Sequence, residues 1–385
     1  MEQRSPPCQP RTRASPMLEL YRLTRQELDQ LMINWRQPIV HARSLWSAIY
    51  RQRIESLNDL PTLPPKLVQQ LHQDARLTNI QLARESAADN HLARKYLLTL
   101  ADGQTIESVL MHYQERNTVC VSSQVGCALG CVFCATGQWG FRRDLSADEI
   151  VAQVLFAQRD LLKRPLGAPV ATHPTSNSEL HSSKSNRFSL PPLAQRVRNM
   201  VLMGMGEPLL NFDEVLRACD ILHDPGGFAL GAKQITISTV GVIPGIIRLA
   251  DERRPYSLAV SLHAATQAER AAIVPTARAW PLDELISACR YYAQTLDRRI
   301  FFEWTLIAGV NDTHEQANQL GQLLQGLPAH VNLIPLNPTR GYSGESSRDE
   351  AAESFQSTLR AWGIPSTVRQ RRGIEIAAGC GQLTA

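Results

Sequence analysis

Apolar residues recur at spacings of three and four over Leu28 to Trp35, Ala42 to Tyr50 and Leu67 to Asp74, which predicts helices along a segment running from Leu18 to about Ala87. Polar or proline-containing joints such as Leu60-Pro61-Thr62 separate them. Further on the pattern changes. Short runs rich in β-formers, at Thr118 to Ser122, Asn199 to Met203, Gln234 to Ser238, Tyr256 to Leu262, Ile300 to Ile307 and His330 to Ile334, alternate with longer helical runs. One of those helices opens with Ser146 and Glu149 in capping-box spacing and carries Ile150, Val151, Val154, Leu155 and Leu161 on one face. Six such units predict an α/β fold: a parallel sheet wrapped by helices into an open, partial (β/α)6 barrel, preceded by a small helical accessory domain.

Two stretches fit neither period. Residues 1–16 are rich in Arg, Pro, Ser and Gln and read as a disordered leader, with Met17 an alternative start. Residues 164–195 mix Ser, Asn, Pro and His and read as a polar surface insertion, in which His173 and His181 are expected to be solvated. The expected organisation is therefore the leader, a helical accessory domain over 17–100, the barrel over 101–345 and a C-terminal element over 346–385. No apolar run approaches the ~18 to 20 residues that cross a bilayer, and the first residues lack a secretory core, so a cytoplasmic location and no membrane partner are expected.

With 43% hydrophobic residues in 385, the chain can bury one large core and a smaller one. The net charge of +4 is compatible with a polyanionic partner without requiring one. Arg36, Arg43, Arg51 and Arg53 of the helical segment belong either to such a contact or to a solvated surface. The cysteines narrow the chemistry more. Eight of them without an export signal argue for ligation or catalysis rather than disulfides. Cys127, Cys131 and Cys134 form C-x3-C-x2-C just past the first barrel strand, and glycines at 126, 130 and 137 let the backbone wrap closely. Three thiolates on one tight loop suit three corners of a 4Fe-4S cluster and leave one iron open. A structural zinc site would want a second cysteine arm, and the sequence has none nearby.

The cysteine triplet, with Phe133 before its last member, resembles the radical S-adenosylmethionine superfamily. The resemblance implies that the open iron chelates S-adenosyl-L-methionine and that an electron from the cluster splits it to a 5'-deoxyadenosyl radical. Gly204-Met205-Gly206-Glu207-Pro208, directly after the second strand, is similar to the superfamily's Gly-Glu-Pro motif, which holds the amino group of that cofactor. Both motifs fall at carboxyl ends of strands, where β/α folds gather their sites.

A narrower resemblance spans Leu18 to the C-terminus. Cys120 to Cys127, Ala135-Thr136-Gly137, Met203 to Asn211, Ser238 to Val242, Ser261-Leu262-His263-Ala264, and Val368 to Leu383 are similar to the RlmN/Cfr family of RNA adenine methyltransferases. Carbon 2 of adenine lies between electron-poor ring nitrogens, so displacement on a sulfonium methyl fails there and a radical route is needed. The resemblance implies that Cys380 first accepts a methyl group, loses a hydrogen atom from it to the deoxyadenosyl radical, and adds the carbon to the base. Cys120 then releases the product through a transient disulfide with Cys380, and Glu107 is the implied proton acceptor. The implied cofactor pocket comprises Gly206, Glu207, Ser238, Ser261, Leu262, His263 and Asn337; His263 is equally readable as a satisfied core residue. Candidate phosphate contacts are Arg142, Arg143, Arg369, Arg371 and Arg372. The implied partners are 23S rRNA near the peptidyl transferase centre, tRNA at the adenine beside the anticodon, and a flavodoxin- or ferredoxin-type electron donor, with the chain expected to be a monomer. Methylation at carbon 8, as in the Cfr branch, and a noncatalytic iron-sulfur RNA-binding protein stay open as alternatives. The helical N-terminal segment and the Gly-Met-Gly-Glu-Pro-Leu-Leu-Asn block favour carbon 2. Cys8, Cys219 and Cys289 lie outside every motif, the latter two as core thiols. The insertion at 164–195, and a Pro338-Thr339-Arg340-Gly341 stretch without an aromatic, depart from the family pattern.

Overall fold

The computed structural model describes residues 17–60, 63–113, 116–166 and 195–384. The leader with Cys8, and nearly all of the 164–195 stretch with His173 and His181, lie outside the described residues. The first described elements are β1 (Leu18–Glu19) and α1 (Arg25–Asn34), whose Thr24 and Glu27 form a capping box; α2 (Val40–Ser47) and α3 (Pro65–Asp74) follow, and β2 (Ala75–Arg76) pairs with β1. These are the three expected helices. Their inner faces, with Leu28, Met32, Leu45, Trp46, Leu67 and Leu71, are buried.

From Gln81 the expectation of helix needs correction. β3 (Gln81–Ala87), β4 (Ala93–Thr99) and β5 (Thr105–Tyr113) form an antiparallel meander that joins β6 (Arg116–Cys120). β3 is the exposed edge of the sheet, so its mostly polar residues carry no alternation to read.

A short hairpin of β7 (Gln124–Gly126) and β8 (Phe141–Asp144) comes next, and the five-residue α4 (Ala135–Trp139) lies within its loop. α5 (Ala147–Lys163) starts at the Ser146/Glu149 capping box. The alternation then proceeds through β9 (Val197–Leu202), α6 (Phe212–His223), β10 (Ile235–Thr239), α7 (Ile243–Asp251), β11 (Ser257–Ser261), α8 (Gln267–Ile273), α9 (Leu282–Leu296), β12 (Ile300–Leu306), α10 (His314–Leu323), β13 (Ala329–Pro335), α11 (Asp349–Ala361) and β14 (Ser366–Val368). The main sheet has the order β14-β13-β12-β11-β10-β9-β6-β5-β4-β3, parallel from β6 to β14 and open at both ends. It is the partial barrel the sequence predicts, with β14 as a seventh parallel strand. None of the described helices is long and apolar enough to cross a membrane.

Candidate active site

Apart from Glu107, which lies in the antiparallel β5, the expected site residues lie at the carboxyl ends of the parallel strands or on segments folded over them, which is where a β/α sheet leaves backbone groups and side chains free to converge. The cysteine loop leaves β7 through Gly126, whose φ of 78° and whose place against Gly140 admit no side chain: a Cβ there would sit 1.8 Å from the Gly140 carbonyl oxygen. Cys127 N–H donates to that same carbonyl at 3.0 Å, and Cys134 N–H donates to Cys131 O at 3.1 Å. Cys127 and Cys131 are buried and Cys134 half-buried. Burial pushes the Cys127 thiol up to about 12 and raises Cys131 further, each also repelled by its neighbouring cysteines.

The donor set fits a four-iron cluster. It offers three thiols, and thiols held up by burial ionise when a metal takes the charge.

Behind the loop, the strand ends are tied into one frame. Gly204 approaches β6 so closely that a Cβ would lie 2.6 Å from Val121 O, and Gly206 at φ 100° lies against Gln124. Gln124 accepts from Glu207 N–H at 2.9 Å. The Glu207 carboxylate, fully enclosed, accepts from Leu209 N–H at 3.0 Å and Val240 N–H at 2.9 Å, and burial lifts it to about 7 despite those donors. Ser238 and Ser261 sit half-buried at the ends of β10 and β11, and Leu262 is buried beside them. His263 is turned into the protein: Nδ1 accepts from Thr305 N–H at 3.0 Å and its ring meets Phe133 edge-on at 4.8 Å. Burial, with Arg270 nearby, depresses it to about 3. Through Phe133 it packs against the cysteine loop.

The tail closes the site from above. Gly381 O accepts from Ala135 N–H at 2.8 Å, Leu383 O from the Thr136 hydroxyl at 2.7 Å, and Cys380 O from Asn337 Nδ2 at 3.1 Å. Gln382 reaches Pro338 O at 2.9 Å. Cys380 thereby lines one cavity with Cys120, at the end of β6, together with Met203, Asn337 and Arg369. Burial and the neighbouring Cys380 push the Cys120 thiol up to about 12. Cys380 keeps solvent access although it lies deep among protein atoms, which raise its thiol; the Arg369 guanidinium works against that rise.

Glu107 is not a surface carboxylate. It is fully buried on β5, ion-paired with Lys95 Nζ at 2.9 Å, and it accepts from the tail's Thr384 N–H at 2.8 Å. Two expected phosphate contacts are otherwise engaged: Arg143 forks onto Glu149 and pairs with Asp102, and Arg369 pairs with Glu303 at 3.1 Å. Arg372 lies over the Tyr113 ring at 4.8 Å, Arg371 bonds Ser346, and Arg142 stays exposed. Cys219 and Cys289 are inert core thiols on α6 and α9. Sequence reasoning missed Lys95 and Arg270, because a lone basic residue in a helix or strand normally reads as solvated.

Open parallel sheet, cysteine loop and strand-end frame together define a radical S-adenosylmethionine fold. The crystal structure of a radical SAM methyltransferase from Sphaerobacter thermophilus superposes with a TM-score of 0.84 at 42% identity, covering 96% of this chain and 99% of that one. The dual-specificity RNA methyltransferase RlmN 1 of Myxococcus xanthus is 51% identical over 95% of this chain and 94% of its own, and the ribosomal RNA large subunit methyltransferase N of Nitrosopumilus maritimus is 38% identical over 95% and 98%. No protein-family model matches the chain. It belongs to the RlmN family of radical S-adenosylmethionine RNA methyltransferases.

Proposed function

We propose that this protein methylates carbon 2 of adenine in 23S rRNA and in tRNA, in the cytoplasm, as a monomer supplied with electrons by a small flavodoxin- or ferredoxin-type protein. The observation that carries the reading is the shared cavity of Cys120 and Cys380, one at the end of β6 and the other on the C-terminal tail, both outside the cluster motif. Cys127, Cys131 and Cys134 would hold a 4Fe-4S cluster, with Gly206, Glu207, Ser238, Ser261, Leu262, His263 and Asn337 around the cofactor. When bound, the cluster and S-adenosylmethionine supply a carbon-centred oxidant and, from a second cofactor molecule, a methyl group.

The chain's own residues do the rest. Cys380 takes the methyl as a thiolate, favoured by the Arg369 charge beside it. After hydrogen-atom loss that carbon bonds to the base; the adduct gives up one electron, for which the cluster would be the acceptor, and Glu107, ion-paired with Lys95, receives the ring proton. The Cys120 thiolate then attacks Cys380 sulfur, the carbon-sulfur bond breaks with its electron pair going to the base-bound carbon, which takes up a proton to become the methyl group, and a disulfide forms that the electron supply must reduce before another cycle. A target adenine must leave its stack to reach this depth, which favours partly unfolded RNA.

Mass analysis of rRNA and tRNA digests after reaction with reconstituted enzyme tests the proposal. The expected product is 2-methyladenosine; 8-methyladenosine in its place would move the protein to the Cfr type of chemistry. Cys380→Ala is expected to abolish methyl transfer with iron content unchanged. RNA binding by the parent protein without any methylation of Cys380 would leave a noncatalytic binding protein.

A further inference from the structure

α8 carries Arg270, a guanidinium only 1% exposed. Its Nη2 donates to Val240 O, while Nε and Nη1 are buried without any hydrogen-bond partner. Among the described residues no carboxylate pairs with it; the titratable groups that face it are the thiols of Cys131 and Cys289 and the imidazole of His263. An enclosed cation with no anion is costly, and folded proteins keep one where something completes it. Cys289 is a wholly buried thiol on α9. Cys131 is the partner whose charge is set by what it ligates.

The surroundings tie Arg270 to the cysteine loop through backbone as well as charge. Val274 N–H donates to Arg270 O at 2.7 Å, and Val132 N–H donates to Ile273 O at 3.1 Å, so the end of α8 is stitched to the residue after Cys131. Cys131 shares an apolar cluster with Ile273 and Val274. On the other side, the Val240 peptide gives its N–H to Glu207 and its carbonyl to Arg270. The guanidinium is thus wedged between the cysteine loop and the strand-end frame, in a dry environment where charge acts strongly.

We propose that Arg270 is the built-in countercharge of the cluster held by Cys127, Cys131 and Cys134, a positioning residue that acts through Cys131 and makes reduction of the cluster easier. The inference rests on the cluster reading above. An oxidised four-iron core brings two positive charges against three thiolates, so the loaded centre is an anion, and accepting an electron makes it more so. A fixed cation at its rim favours the reduced form, since net charge and local hydrogen bonding set the potentials of such centres. Burial leaves Arg270 with a pKa of about 10, so it keeps its proton at neutral pH.

The test is a potentiometric titration, followed by electron paramagnetic resonance, of anaerobically reconstituted parent, Arg270→Lys and Arg270→Gln without S-adenosylmethionine. At a fixed ambient potential the ratio of reduced to oxidised cluster should fall at least tenfold in Arg270→Gln, about 59 mV for a one-electron couple, and Arg270→Lys should stay within about threefold of the parent. An intact four-iron spectrum in Arg270→Gln with the ratio unmoved would overturn the role of Arg270 and leave the cluster standing. Thermal unfolding gives a second reading. Without iron, Arg270→Gln should be at least as stable as the parent, and loading iron should stabilise the parent more than the variant. Failure of the iron-free variant to fold would make Arg270 an ordinary structural residue and reject the proposal. A parent protein that takes up no iron would take down the cluster reading and this one together.

Discussion

At His263 the chain puts an imidazole where a proton is unwelcome twice over: Nδ1 already accepts from Thr305 N–H, and the ring is walled in with Arg270 nearby. Its pKa drops from the ordinary 6.5 to about 3. The unfolded chain therefore takes up the proton first as pH falls. The stability that the neutral ring contributes is whole above about pH 6.5 and drains away toward pH 3, by about 1.4 kcal/mol per pH unit at most. Urea unfolding of iron-free protein at several pH values should show this slope, and His263→Gln should flatten it; an unchanged slope in the variant would place the acid sensitivity elsewhere. Residue identities of this kind were only partly legible. The cysteine triplet announced itself by spacing, because ligands on a tight loop must be close in sequence. His263 reads equally as a cofactor-pocket residue or a satisfied core residue, and only the structure shows the Thr305 amide and the Phe133 ring that hold its imidazole in place.

Between elements, the meander of β3 to β5 has a job the sequence concealed. Lys95 on β4 and Glu107 on β5 are diagonal neighbours across the ladder, in the register Leu97 to Glu107 and Lys95 to Val109. Both are buried, and the carboxylate also holds the tail through Thr384. Removing one partner strands the other, so Glu107→Ala should lose about 3 to 5 kcal/mol. The double variant Lys95→Met with Glu107→Leu should be markedly less destabilised than the sum of its single changes, as denaturant unfolding would show. A strictly additive result would mean that the pair is not coupled. The cysteine hairpin makes a sharper demand. Gly126→Ala pushes a methyl group into the Gly140 carbonyl, a clash that β7 and β8 relieve only by parting. Iron uptake by that variant should fall well below the parent's while the far-ultraviolet circular dichroism stays close to it. The six parallel strands were readable to within about two residues because buried β-runs between helices have few other interpretations. The exposed, polar β3 and the three-residue β14 offered neither period nor length.

Across the molecule, strands far apart in the sheet contribute to one place: β6 brings Cys120 and the stretch after β14 brings Arg369 and Cys380 to a shared cavity, while Glu107 of β5 holds the tail through Thr384. Pairings between segments so distant in sequence follow from strand order, which composition and local pattern do not specify. The tail is held by a few hydrogen bonds, among them the one from Asn337 to Cys380 O. Such a bond contributes about 1 kcal/mol. Asn337→Ala should accordingly raise the open population, and with it tryptic cleavage after Arg371 or Arg372, roughly fivefold. Limited proteolysis followed by mass spectrometry would measure it, and unchanged cleavage would show that other contacts suffice to keep the tail docked.

The seating of Gly381 and Leu383 on α4 also sets a schedule. During translation the cysteine loop emerges well before the stretch that covers it, so a nascent chain presents its three thiols bare while α9 to β14 are still being made. Assembly of a metal centre can therefore precede closure, and a chain that closes first would have to lift its cover again to be loaded.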